Sequence, residues 1–147
     1  MFVMKREEYL ALVERHREEL EAFPIIYAFD EKRLEEGLKK LGAKKEECVS
    51  YLGIGDVMRK ADVPAFEAMG ERHHEELMRA MKDEEFAEAA FLYEMDNHEY
   101  AINWSGDADV LACFHHSMKK LREMGLEDAY RRARNAHMKH AEEWEMI

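Results

Sequence analysis

The chain is short of cysteine, proline and long apolar runs, and each shortage argues against a class of protein. Its 147 residues include two cysteines and two prolines. Cys48 and Cys113 are far apart and form no CxxC pair, which argues against a disulfide framework, a zinc knuckle or a redox motif, so we expect two reduced core thiols. No apolar run approaches the roughly 18 residues that a membrane span needs, and charges from Lys5 onward interrupt any signal peptide. The sequence predicts a cytoplasmic protein.

Positive charge is also scarce. The chain has 33 acidic residues against 22 Lys and Arg, for a formal charge of −11. Such a surface repels nucleic-acid phosphates and anionic lipids, so direct nucleic-acid binding and membrane binding are disfavoured. An acidic face can instead imitate nucleic acid towards a basic protein, although most acidic surfaces serve solubility.

Apolar periodicity predicts a mostly helical chain. With 47% apolar residues, the length suits one core, and we expect a single domain over 1–147. Amphipathic helices are predicted over 5–23, 62–81, 109–124 and 126–144, and Asp30 and Gly42 bound another. Asp83 caps a helix over 84–97 that is apolar on most sides and should be central.

Three short segments have the composition of strands. Residues 25–29 are typical of a buried strand, and residues 49–60 predict a hairpin around Gly53-Ile54-Gly55. Residues 100–104 predict a further strand, with residues 105–107 as the turn after it. The fold class expected is therefore α+β: a predominantly helical single domain with a small, mainly antiparallel β-sheet.

Histidines and a glutamate near the central helix are candidate metal ligands. His73 and His74 share one predicted helix, while Glu94 and His98 occupy i and i+4 positions on the next. Together they predict a zinc or iron site, with Glu99 as general base on bound water. Tyr93 and Trp104 would line the same site.

A structural role is the simpler interpretation of these residues. The His-Glu-x-x-His pattern and paired Glu-x-x-His motifs are missing from the sequence. His73 then belongs to an apolar stripe, while Glu94 and His98 close a helix end.

Other polar clusters give weaker signals. A second histidine group, a GxG turn and a basic pair are candidates for metal, phosphate and nucleotide-signal binding, respectively. They are His115, His116, His137 and His140; Gly53 and Gly55; and Arg59 and Lys60. Because the GxG lies in a predicted hairpin and not between a strand and a helix, we prefer a simple turn there.

Several motifs resemble an uncharacterised family of small phage, prophage and mobile-element proteins of bacteria. Residues 27–30 (YAFD) and 34–37 (LEEG) are similar to its F-[FY]-A-F…F-E-E-G stretch, residues 52–62 to its glycine-bearing hairpin, and residues 91–100 to its Y-E-x-x-N-H-E-Y block. The resemblance covers 24–104 and weakens afterwards. Its signature positions here are Phe29, Gly37, Gly55, Tyr93, Asn97, Glu99 and Tyr100.

The resemblance implies a genetic setting more than a chemistry. We expect a phage or mobile-element accessory protein without enzymatic activity that binds a host or phage protein in the bacterial cytoplasm, in a host-takeover or anti-defence role. A homodimer is a further arrangement that the sequence permits. The alternative is a metal-dependent enzyme, or a small-ligand or nucleotide-signal pocket, built around His73, His74, Glu94 and His98.

Overall fold

The structure, a computed structural model, describes residues 2–98, 104–114 and 116–145. Within these ranges it contains seven α-helices and a three-stranded antiparallel sheet, which confirms the predicted fold class. No helix in the described ranges is long and apolar enough to cross a bilayer. The helices are α1 (Phe2–Ala22), α2 (Glu31–Leu41), α3 (Val63–Ala80), α4 (Glu84–Asn97), α5 (Trp104–Ala112), α6 (Met118–Met124) and α7 (Glu127–Glu145), and the strands are β1 (Ile26–Tyr27), β2 (Cys48–Val49) and β3 (Asp56–Arg59).

Side-chain caps fix the helix ends that the sequence predicted. The Asp30 carboxylate accepts a hydrogen bond from the Arg33 amide at 2.8 Å, and Gly42 ends α2 in the left-handed region with φ of 64°. Asp83 accepts from the amides of Glu85 and Phe86 at the start of α4. These contacts confirm that short polar residues set the boundaries of both helices.

The sheet has the order β1-β3-β2, with Ile26 opposite Val57 and Val49 opposite Met58. The predicted hairpin over 49–60 is confirmed as β2 and β3. The predicted strand at 25–29 is shortened to two residues, and its burial was wrong, since Tyr27 is 52% exposed and Phe29 is 73% exposed. β1 is an edge strand with two paired residues, in which Ile26 packs against α2 while Tyr27 is exposed.

The segment around residue 104 differs from the sequence prediction. Trp104 is the first residue of α5, and 105–107, predicted as a turn, are helical. The remainder of the predicted strand, residues 100–103, lies outside the described part.

The single helix predicted over 109–124 was also wrong, because α5 and α6 are separate. The Ser117 hydroxyl accepts from the Lys120 amide at 3.2 Å and starts a new helix, while Phe114 between the two helices is fully buried. The apolar spacing looks continuous in the sequence, but the Ser117 cap divides it between two helices.

The chain divides into two compact units. Unit 1 combines Met1–Val13 with Glu76–Ile147, and unit 2 is Glu14–Glu75. The expectation of a single domain stays a prediction.

The core of unit 1 forms around α4, as its apolar circumference predicted. Eight of the 14 residues of α4 are buried. Phe91 on α4 makes edge contacts with Phe114 and Tyr130 at ring distances of 5.1 and 5.2 Å, and Tyr9 lies 5.8 Å from Phe114. Aromatic contacts thus join α1, α4, α7 and the α5–α6 connection.

Candidate functional site

Three side chains with metal-binding atoms meet at the end of α4 in unit 1. Glu94 Oε2 lies 3.1 Å from His98 Nε2, and Cys113 Sγ lies 3.5 Å from the same nitrogen. One ligand atom from each residue fits within 4.8 Å of the other two. Among the described residues, no other group of three His, Cys, Asp or Glu side chains brings its ligand atoms this close together.

Helix geometry positions two of the three residues. Glu94 on α4 and His98, its C-cap, are one turn apart, and the His98 amide donates to the Glu94 carbonyl at 2.9 Å. The predicted role of their side chains in closing the helix end stays a prediction, since the described side-chain contact joins the two residues to each other. Cys113 follows α5, where its thiol donates to the Asp109 carbonyl at 3.6 Å.

The Glu94 carboxylate is the most buried part of this cluster. Glu94 is 8% exposed, and the Tyr9 hydroxyl donates to its Oε1 at 3.1 Å. Burial, reinforced by Glu94, raises the pKa of Tyr9, and the same two causes raise the pKa of the Cys113 thiol to about 12. The Cys113 thiol is therefore protonated at neutral pH, which argues against a free thiolate nucleophile.

The sequence identified two of these three residues as candidate ligands and missed Cys113. Cys113 gave no signal because it lies 15 residues beyond His98 and forms no motif with it. It was also expected to be a core thiol, whereas it is only partly buried, as is Cys48.

The predicted ligands His73 and His74 lie in unit 2. There, His73 Nε2 donates to a Glu19 carboxylate oxygen at 2.9 Å, and its ring stacks on His16 with 4.0 Å between centroids. Glu99 and the side chain of Trp104 are outside the described part of the chain. Tyr93 is half-buried beside Arg6, whose guanidinium lies 5.5 Å from its ring centre.

The second histidine group includes two partners of one carboxylate. His137 and His140 on α7 place Nδ1 atoms 2.6 and 3.2 Å from the two Asp96 oxygens on α4. His116 lies beside the Phe114 ring, and His115 is outside the described residues. The described contacts of His137 and His140 link α7 to α4.

Unit 2 carries a different feature, a group of exposed apolar side chains on β1, on the segment just after it and on the β2–β3 hairpin. We call it the apolar hairpin surface. Its members are Tyr27 (52% exposed), Phe29 (73%), Val49 (36%), Tyr51 (45%), Leu52 (47%) and Ile54 (60%).

A buried carboxylate holds the hairpin loop in shape. Asp56, fully buried, accepts hydrogen bonds from the Ser50 hydroxyl at 3.0 Å and from the amides of Tyr51, Leu52 and Ile54 at 2.9–3.3 Å. Burial alone would raise the pKa of Asp56, but these hydrogen bonds outweigh it and lower the pKa. Because the loop amides already bind a carboxylate, the turn interpretation is favoured over a phosphate site.

Three of the signature positions have a structural explanation in unit 2. Gly55 has φ of 89°, and a Cβ there would lie 2.8 Å from Phe29 Cε1, so glycine lets the Phe29 ring rest on the hairpin backbone. Gly37 is buried, and a Cβ there would lie 2.0 Å from Ile26 Cδ1. Glu99 and Tyr100 are outside the described residues.

Together these features define a mostly helical α+β protein with a carboxylate–histidine–thiol cluster in one unit and an exposed apolar hairpin in the other. The chain belongs to DUF7659, a family of unknown function, whose model matches residues 8–135. The expected membership of an uncharacterised family is thereby confirmed. A search of curated proteins gave no match, and neither did a search of solved structures.

Proposed function

We propose that this protein is a non-enzymatic accessory protein of a phage or mobile element, which binds a host or phage protein through the apolar hairpin surface. The observation that carries the proposal is the exposure of six large apolar side chains in segments 27–29 and 49–54, which strand pairing and the Ala28–Gly55 backbone hydrogen bond bring side by side. Contiguous exposed apolar groups are costly in water and mark interaction sites on folded proteins. The genetic setting rests on the motif resemblance over 24–104.

The rigidity of the loop supports a binding role. Asp56 accepts hydrogen bonds from three amides of the hairpin loop, and the Phe29 ring packs on Gly55. The exposed apolar side chains of the loop are therefore held in place before a partner binds. A preorganised surface loses less conformational entropy on association than a mobile loop does.

The chemistry of the surface favours a protein as the partner. Aromatic side chains such as Tyr27, Phe29 and Tyr51 are enriched in protein interfaces, where a few buried residues contribute most of the binding energy. A net charge of −11 opposes nucleic acid and anionic membrane. We assign no catalytic residue, and we place the activity in the bacterial cytoplasm.

A metal-dependent enzyme or small-ligand pocket is the second candidate, because Glu94, His98 and Cys113 converge. Glu94 and His98 are the carboxylate and the imidazole that the sequence suggested. Under this second candidate, Glu99 would act as the general base.

Affinity capture from bacterial lysates, with and without phage infection, tests the binding proposal. The bait is the wild-type chain, the double variant Leu52→Asp/Ile54→Asp, or Met4→Gln as a matched control, since Met4 is 62% exposed but lies in α1. We expect a specific protein with the wild type and the control and at least a tenfold loss with the double variant, whose fold circular dichroism checks. Capture of no specific protein, or equal capture by the double variant, would contradict the proposal.

The molar mass in solution separates a foreign partner from a second copy of this chain. Light scattering after size exclusion should show the same mass for the wild type and for Leu52→Asp/Ile54→Asp. A wild-type dimer that the double variant dissociates would instead assign the apolar hairpin surface to self-association.

A further inference from the structure

We propose that Glu94, His98 and Cys113 bind a zinc ion with three protein ligands and an open fourth position. This inference is independent of the apolar hairpin surface, since it concerns side chains of unit 1 only. It replaces the His73 and His74 ligands of the sequence prediction with a single thiolate.

The distances match tetrahedral zinc. With Zn–N and Zn–O lengths of about 2.1 Å, a Zn–S length of about 2.3 Å and tetrahedral angles, a bound nitrogen and sulfur are about 3.6 Å apart and a nitrogen and oxygen about 3.4 Å apart. The Nε2–Sγ and Nε2–Oε2 distances here are 3.5 and 3.1 Å. These two pairs need shifts of a few tenths of an ångström, and the third pair, Glu94 with Cys113, lies within 4.8 Å.

The donor set selects zinc over hard cations. Thiolate and imidazole ligands favour zinc and other late transition metals, whereas magnesium and calcium prefer oxygen alone. On binding, the Cys113 thiol forms an Sγ–Zn bond and releases its proton to solvent, and His98 binds through Nε2 with its remaining proton on Nδ1.

The surroundings hold the ligands and leave an approach for the ion. The Tyr9 hydroxyl binds Glu94 Oε1 and leaves Oε2 facing His98, an arrangement that orients a ligating carboxylate. Glu94 is buried, whereas the His98 side chain is 42% exposed and Cys113 is intermediate, so the ion can enter from the His98 side. The fourth position would be filled by water.

Zinc titration of the full chain tests this site. The protein is stripped with chelator, and Zn²⁺ alone is added in competition with a chromophoric chelator, with elemental analysis of protein purified without chelator. We expect one zinc per chain and at least a tenfold weaker affinity in Cys113→Ser and in His98→Gln. Replacement of zinc by Co²⁺ should give a thiolate-to-cobalt absorption band that Cys113→Ser lacks.

Matched controls separate this site from adventitious binding. Cys48→Ser removes the other thiol, and His74→Gln removes an exposed histidine of unit 2; neither should change zinc affinity. Folded wild type that binds no zinc, or zinc bound equally well by Cys113→Ser, would overturn the proposal. Should Cys113→Ser fail to fold by circular dichroism, the cobalt band of the wild type and the affinity of His98→Gln decide, and their failure counts equally against the site.

Discussion

His16, on α1, is held in the neutral state by its surroundings. Its ring is stacked on His73 with planes 12° apart. Burial, together with the charges of His73, Arg15 and Arg72, lowers the pKa of His16 to about 4 from the usual 6.5. Burial and the two arginines lower the pKa of His73 as well, despite its hydrogen bond to Glu19. Both rings therefore favour the folded state while they are uncharged.

Stability should fall as the pH is lowered from 6.5 to 4. The unfolded chain binds a proton at His16 more readily than the folded chain, so acid favours unfolding within this window and adds nothing more from His16 below it. The difference between a pKa of 6.5 and one of about 4 corresponds to at most about 3.4 kcal/mol, and solvent screening of this partly exposed pair should reduce it to about 1–2 kcal/mol. The free energy of unfolding in urea, measured at pH 7, 5.5 and 4.5 with a chelator present to remove bound metal, tests this prediction.

His16→Phe is the control for that titration. Phenylalanine keeps an aromatic ring against His73 but binds no proton, so the loss of stability between pH 6.5 and 4 should become smaller. An unchanged pH slope in His16→Phe would show that the acid sensitivity comes from other groups.

Contacts between distant residues lay beyond what the sequence could predict at this scale. Glu94 and His98 were recognised because the helix period places them together, but Tyr9 is 85 residues from Glu94 and Cys113 is 15 residues from His98. In the sequence Asp56 looks like any acidic residue of a turn, whereas in the structure it is buried and accepts four hydrogen bonds. Side chains that depend on tertiary packing carry no local pattern.

Within single helices, two glycines differ in the space around their Cα atoms. Gly37, in α2, faces β1, where a Cβ would lie 2.0 Å from Ile26 Cδ1 and 3.1 Å from its Cγ1. Gly70, in α3, is exposed with nothing within 4 Å of the same position.

Alanine should therefore change stability in opposite directions at these glycines. Gly37→Ala forces Ile26 out of its rotamer and should cost about 1–3 kcal/mol. Gly70→Ala removes backbone freedom from the unfolded chain and should stabilise by about 0.5–1 kcal/mol. Equilibrium urea unfolding compares both with the wild type, and a loss of similar size in both variants would contradict the packing of α2 on β1.

Local signals account for the elements that the sequence predicted correctly. Caps such as Asp30, Asp83 and Gly42 act within one helical turn, so their effect is visible in the sequence. The start of α5 at Trp104 and the break before Ser117 depend on where Val110 and Phe114 are buried, which the sequence does not state. The strand end at Trp104, the turn over 105–107 and the unbroken helix through Ser117 were consequently wrong, whereas 109–112 are helical as predicted.

Across the whole molecule, like charges repel one another. The excess of acids gives −11 at neutral pH, although individual ion pairs oppose it, such as Arg17 with Glu14 and Glu21 and Arg132 with Glu88. The pairs are largely exposed and contribute little each. Net repulsion should thus be the larger effect.

Added salt should raise the thermal stability. Going from about 10 mM to about 150 mM sodium chloride shortens the screening length from about 30 to about 8 Å, which weakens repulsion across the surface. We expect Tm to rise by about 2–4 °C, equivalent to roughly 1 kcal/mol for a chain of this size. Most of the rise should occur below about 150 mM, and a fall in Tm would mean that the ion pairs matter more.

The contact between Tyr9 and Glu94 also sets a time order for synthesis on the ribosome. The two residues are 85 positions apart, and Glu14–Glu75 is translated between them. At about 5–20 residues per second, the first turns of α1 wait roughly 4–17 s for α4 to be made. During that interval Tyr9 and Leu12 lack the core that later buries them, so the apolar face of α1 stays open to solvent until α4 is made.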